Sequence, residues 1–210
     1  MLPSAPLLIA FLAASVAIVV VPGPDVLYVA ARSLGQGRRA GAVATLGISC
    51  GLMVHGAAAA LGLSSLFLAA PFAYEALRWG GIAYLAYLAF RAFRGTDDLR
   101  LAALAPAAAL RAVWMQAFVT NLLNPKIILF FIAFLPQFVE PDAARPLVQT
   151  AMLAALFTLL SLTFQMGLAA TAGRLGEWLA ARPQAQRLQR WIMGGSLGML
   201  AAWLAIGARR

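Results

Sequence analysis

Apolar residues fill this chain in long blocks, and almost all of its charge collects in the short stretches between them. A bilayer core takes about 20 apolar residues per helix, and six stretches reach or approach that length. The first spans residues 4–33. The second lies within 40–70, which contains no Asp, Glu, Lys or Arg and is long enough to tilt or protrude. The others cover about 72–93, 112–138, 146–173 and 188–206. The pattern predicts an all-α membrane protein of six transmembrane helices, with residues 1–210 forming a single transmembrane domain.

Two short stretches break this pattern. Within the first block stands Val20-Val21-Pro22-Gly23-Pro24-Asp25, and within the fourth Asn124-Pro125-Lys126. Lipid offers no partners for freed backbone groups, so such breaks belong inside protein or beside a watery cavity. Pro22 and Pro24 lack an N–H and free the carbonyls four residues back, those of Ile18 and Val20. The residues before them, Val21 and Gly23, are pushed out of helical geometry. A new helix starts well with Pro24 in its first turn, where the helix N-terminus favours the charge of Asp25. The second break repeats the grammar, with Asn124 as N-cap and Pro125 in the first helical position. Here the first-turn charge is Lys126, which the dipole disfavours. It calls for compensation by Asp25, by a substrate carboxylate or by water.

Composition narrows the class. Of 210 residues, 63% are hydrophobic, and the mean hydropathy is +0.86, far outside the range of a soluble domain. The formal charge of +9 does not point to nucleic acid, because the basic residues sit in short loops, where they orient the chain and meet lipid headgroups. Three loops carry eleven arginines: Arg32, Arg38 and Arg39; Arg91, Arg94, Arg100 and Arg111; Arg174, Arg182, Arg187 and Arg190. The opposite side carries four: Arg78, Arg145, Arg209 and Arg210. The positive-inside rule then places both termini outside. Residues 1–6 lack Lys and Arg, and the apolar run continues to Val21, so the first block reads as a retained span rather than a cleaved leader. A single cysteine, Cys50, excludes an intrachain disulfide, and one cysteine with one histidine leaves no metal cluster of the usual kind. No cofactor is expected.

Three helices per half would invert the second half relative to the first. Weak internal similarity supports halves of about 1–100 and 101–210. Gly23-Pro24-Asp25 aligns with Asn124-Pro125-Lys126, and at the same offset Gln36 meets Gln137. Arg78-Trp79-Gly80-Gly81 resembles Arg190-Trp191 followed by Gly194-Gly195. Paired interrupted segments in inverted halves are a pointer to a transporter site. Each break offers free carbonyls, exposed N–H groups and one full charge, of opposite sign in the two. Carbonyls and Asp25 suit an ammonium; N–H groups and Lys126 suit a carboxylate. The plain structural alternative is that Asp25 and Lys126 pair with each other or lie at the headgroups.

Other candidates carry less. His55, midway along the second block, is either functional or a histidine bonded between packed helices. Glu75 and Arg78 stand three apart and fit a surface pair. Gln116, Asn121 and Gln165 line a pathway or bond across helices. Gly47-x-x-x-Gly51 and Gly194-x-x-x-Gly198 allow close helix contact, within one chain or across a homodimer.

The run Pro22-Gly23-Pro24-Asp25, followed by Gly35, Gly37, Gly47, Gly51 and His55, resembles the LysE/RhtB amino-acid exporters. So does Asn121-Leu122-Leu123-Asn124-Pro125-Lys126 with Phe130-Phe131 and Leu135-Pro136-Gln137-Phe138. The resemblance covers essentially the whole chain. It implies ion-gradient-driven export of amino acids such as homoserine, threonine, lysine or leucine across a bacterial cytoplasmic membrane, and leaves the particular substrate open. The site residues expected to bind substrate or couple transport are Pro22, Gly23, Pro24, Asp25, Asn121, Asn124, Pro125 and Lys126, with His55 beside them. The competing readings are inorganic cation efflux and a non-transporting intramembrane protein. The first is weakened because Asp25 is the only acidic residue placed deep in the membrane, while hard cations want several oxygens. An intramembrane enzyme lacks paired carboxylates, a nucleophile with its base or metal-ligand spacing. No ATP-binding loop is present.

Overall fold

The computed structural model describes residues 3–21, 23–69, 108–140 and 143–180, with isolated helical positions at 79, 82–83, 86–87, 90, 191, 195, 198 and 202. The third and sixth expected spans, most of the arginine loops, Pro22 and the Arg78 and Arg190 motifs lie largely or wholly outside the described residues. All regular structure among the described residues is helical.

The first block forms two helices. α1 spans Ala5–Val20 and α2 spans Pro24–Gln36. Their axes differ by 50°, the bend expected where proline removes ladder bonds. Val21 and Gly23 are both extended, as their places before Pro22 and Pro24 require. Gly37 follows α2 with φ +84°, a conformation that side chains resist, and lets the chain turn directly into α3, Arg38–Ala69.

The second break is built the same way. α4 spans Leu110–Leu122 and α5 spans Pro125–Leu129. A π-helical turn, Phe130–Phe134, and a 3₁₀ turn, Leu135–Phe138, carry the chain on. The segments on either side of the break again differ by 50°. α6 then runs over Pro146–Ala180, beyond the expected end near residue 173. Two stretches, Arg38–Gly62 and Pro146–Thr171, are each long and apolar enough to cross a bilayer, and the two bent pairs reach that length as pairs.

α3 is the central post, packed along α6, α4 and α2. Ala40, Ala44, Ile48 and Leu52 recur every four residues on one buried face, the spacing that keeps side chains on one stripe. Large apolar residues elsewhere on α3, such as Met53 and Leu61, are exposed, which suits a surface facing hydrocarbon. Gly47 lies against Ala117 and the α4 backbone, and Gly51 against Asn121. The first small-residue motif therefore serves packing within the chain. Phe11, Phe130, Phe131, Phe134, Phe138 and Phe157 form a buried aromatic cluster; the Phe130 and Phe157 rings stack at 4.0 Å. This cluster fixes the far side of the second break. At the N-terminal end of α1, Glu140 Oε1 accepts from the Ser4 N–H at 2.8 Å, which places an anion at a helix N-terminus.

Candidate functional site

Both breaks put a proline in the first helical position and a charge immediately after it. Asp25 follows Pro24 at the start of α2, and Lys126 follows Pro125 at the start of α5. Both charged residues are 3% exposed. Each is held chiefly by the other break.

Lys126 Nζ donates to the carbonyls of Ile18 at 3.2 Å and Val21 at 3.0 Å. Ile18 is the carbonyl that Pro22 was expected to free. The second acceptor is Val21 rather than Val20: with Val21 extended and α2 starting anew at Pro24, the Val21 carbonyl has no ladder donor. The charge that the α5 dipole disfavours is thus balanced first by main-chain oxygens. Asp25 is near enough to Lys126 to attract it, but the described contacts include no direct ion pair between them. Asp25 and Lys126 thus attract each other across a short gap, alongside the hydrogen bonds that each makes to the other break. Gly23 sits beneath the lysine stem: a Cβ there would lie 3.0 Å from Nζ and 3.1 Å from Cε.

Asn121 ties the second break to the first. Its Nδ2 donates to Asp25 Oδ2 at 2.9 Å. Its carbonyl, four residues before Pro125 and therefore freed, lies 3.3 Å from His55 Nε2 and accepts from the Asn124 N–H at 3.0 Å. His55 is half-buried and stacks on Phe131. It gives the Asn121 carbonyl a second neighbour, from α3. Asn124 caps α5 as expected, its Oδ1 accepting from the Lys126 N–H at 3.1 Å. Asn124 also lies beside Asp25, yet its Nδ2, Asp25 Oδ1 and Asn121 Oδ1 are all buried without a hydrogen-bond partner. Native interiors leave few such groups unmet, and here they concentrate at one place.

A polar seam leads away from the site between α2 and α4. Asp25, Tyr28, Arg32 and Gln36 occupy one face of α2 at helical spacing. Arg32 donates to Tyr28 Oη at 3.1 Å, to Gln36 Oε1 at 2.8 Å and to Gln116 Oε1 at 2.9 Å. Tyr28 Oη also donates to Gln116 Oε1 at 2.9 Å, and Gln36 Nε2 donates to the Ala108 carbonyl at 2.8 Å. Gln116 was expected to line a pathway or to bond across helices, and it bonds across them. Arg32, Tyr28 and Gln36 are additions to the expected site, and their spacing from Asp25 was the signal.

On the α6 side, a cavity of about 10 Å³ is lined by Asp25, Lys126, Ser161 and Gln165 together with apolar residues of α1, α2, α5 and α6. The structure thus gathers Gly23, Pro24, Asp25, Asn121, Asn124, Pro125 and Lys126 at one place with His55 against them; Pro22 lies outside the described residues. Among the described residues, no group of three or more His, Cys, Asp or Glu could hold a metal ion.

Fold and site define an α-helical membrane protein whose buried charges meet at two interrupted helices, the arrangement of a transporter. The chain belongs to the LysE type translocator family, whose model matches residues 16–208; it is a transporter and not an enzyme. It is 30% identical over 200 residues to a homoserine/homoserine lactone efflux protein of Salmonella typhi, covering 95% of this chain and 96% of that one. It is 32% identical over 197 residues to an uncharacterized membrane protein of Pseudomonas aeruginosa, with 91% and 88% covered. A leucine efflux protein of Salmonella choleraesuis is 26% identical over 196 residues, with 93% and 92% covered. No solved structure matches the chain.

Proposed function

We propose that this protein exports amino acids or close derivatives from the cytoplasm, driven by the proton gradient. The observation that carries the reading is the cluster itself: Asp25 and Lys126, buried at the two breaks, with unmet polar groups around them. An ammonium would take Asp25 Oδ1, and a carboxylate the remaining N–H of Lys126. The names of the Salmonella relatives support amino-acid cargo of this kind. Asp25 would also carry the coupling proton, because opening and closing the cavity changes its access to water.

The wider architecture of this reading is six spans in two inverted halves, 1–100 and 101–210, in a bacterial cytoplasmic membrane with both termini outside. The matched positions of the two breaks support the repeat, and the eleven arginines on one side support the orientation. In that orientation the Tyr28–Arg32–Gln36–Gln116 seam runs from the site to the cytoplasm and forms the closed inner gate.

The test is efflux from preloaded vesicles against a panel of amino acids and metal ions, with and without a pH gradient. Gradient-dependent release of homoserine, leucine or another amino acid is expected. Release of a metal ion and of no amino acid would favour cation efflux instead.

A further inference from the structure

The third wall of the site is α6, and its polar groups have no role in the account so far. Gln165 is 3% exposed, deep in a largely apolar helix. Its Nε2 donates to Ser161 Oγ, one turn earlier, at 2.8 Å. That bond fixes the amide and leaves Oε1 buried with no partner. Asp25 is in a similar condition: Asn121 holds Oδ2, and Oδ1 makes no hydrogen bond of good geometry although the Asn124 side chain stands beside the carboxylate. Both residues line the same small cavity, and so does Lys126. An ammonium has three N–H groups; two of those on Lys126 go to Ile18 and Val21, and one remains.

The cavity lining therefore offers two unmet acceptors and one charged donor, with Asp25 and Lys126 cancelling in net charge. A bare cation would leave the Lys126 donor unmet and add charge beside it. An anion would leave both acceptors unmet. A head group with several N–H donors, one anionic acceptor and no net charge satisfies all three, and the α-ammonium and α-carboxylate of an amino acid are such a group. The cavity has room for about one water, so it must widen to admit this ligand.

We propose that Gln165, positioned by Ser161, is a substrate-binding residue: its Oε1 and Asp25 Oδ1 accept from the α-ammonium while Lys126 donates to the carboxylate. This rests on the amino-acid exporter reading and adds the residue that reads the amino group.

The test uses the full chain in proteoliposomes. Exchange of labelled leucine and homoserine is inhibited in turn by each unlabelled amino acid and by its α-hydroxy-acid analogue, which lacks the ammonium. The readout is the ratio of the two inhibition constants, which does not depend on how much protein is active. The wild type should prefer the amino form. In Gln165→Leu that preference should fall by about tenfold or more, the value of a buried hydrogen bond to a charged group. Gln165→Met, closer in shape, should behave alike and serves if the leucine variant does not accumulate. Gln165→Glu keeps an acceptor and should keep the preference. An unchanged ratio in Gln165→Leu or Gln165→Met, or equal weakening of both ligand forms, overturns the assignment of Gln165 while leaving the exporter reading intact. A wild type that exchanges no amino acid overturns that reading and this inference with it.

Discussion

The Lys126 ammonium lies 3.0 Å from the carbonyl oxygen of Val21, a residue 105 positions earlier in the chain. One break thus supplies the cation that the other break's backbone needs. Asn121 Nδ2 donates across the same way to Asp25 Oδ2, side chain to side chain at 2.9 Å. Neither bent helix is complete without the other, so the two breaks form one structural unit.

Removing the lysine charge should therefore disturb both breaks. Lys126→Met leaves the Ile18 and Val21 carbonyls unpaired and Asp25 buried without its counter-charge. Losses of this kind run to about 3–5 kcal/mol. The expected outcome is a clear drop in thermal stability of the purified protein in detergent, read by unfolding-dependent dye fluorescence. Any protein that still inserts should lose affinity for substrates with a free carboxylate more than for their esters.

Gly51 offers a test of Asn121 that touches no charge. A Cβ at Gly51 would stand 2.5 Å from Asn121 Oδ1 and 2.9 Å from its Cβ, closer than the contact allows. Gly51→Ala should push Asn121 off Asp25 and lower export by about tenfold, the scale of one lost buried hydrogen bond to a charged group. Gly167→Ala, where a Cβ meets nothing within 4 Å, should leave export unchanged. The measurement is initial efflux rate at matched membrane abundance.

Much of this site was legible because proline chemistry is local. The breaks, the extended Val21 and Gly23, the Asn124 cap and the need to balance Lys126 all follow from backbone groups within a few residues. The partners were less legible. Ile18 could be named as a freed carbonyl, but the choice of Val21 over Val20 depends on where a side chain from the other half arrives. Gln165 in an apolar helix reads the same whether it lines a cavity or bonds to a neighbour; only the unmet Oε1 separates the two. The π-helical turn at Phe130–Phe134 had no sequence signal.

The arginine distribution predicts that Arg38, at the start of α3, and Arg182 face the cytoplasm. Single cysteines at these positions, in a Cys50→Ala background, should resist a membrane-impermeant thiol reagent in intact cells and react after permeabilisation. Ready labelling of both in intact cells would reverse the orientation.

The polar seam should behave as a gate. Gln116→Leu removes the acceptor shared by Tyr28 and Arg32 without altering Asp25 or Lys126. It should loosen the hold of α2 on α4 and raise the reactivity of a cysteine introduced at Val26, in a Cys50→Ala background, toward a permeant thiol reagent by several-fold. Unchanged reactivity would make the seam a static support.

The central claim is that Asp25 is where substrate movement and the proton gradient meet. Asp25→Asn keeps the size of the side chain but removes its charge and its titration. It is measured beside the wild type in two assays on the same vesicles: net efflux driven by an imposed pH gradient, and amino-acid exchange with no gradient. Asp25→Asn should insert at normal abundance, lose gradient-driven efflux and keep measurable, weakened exchange. Efflux at near wild-type rate that still responds to the gradient would contradict it, and would leave Asp25 as a structural partner of Asn121.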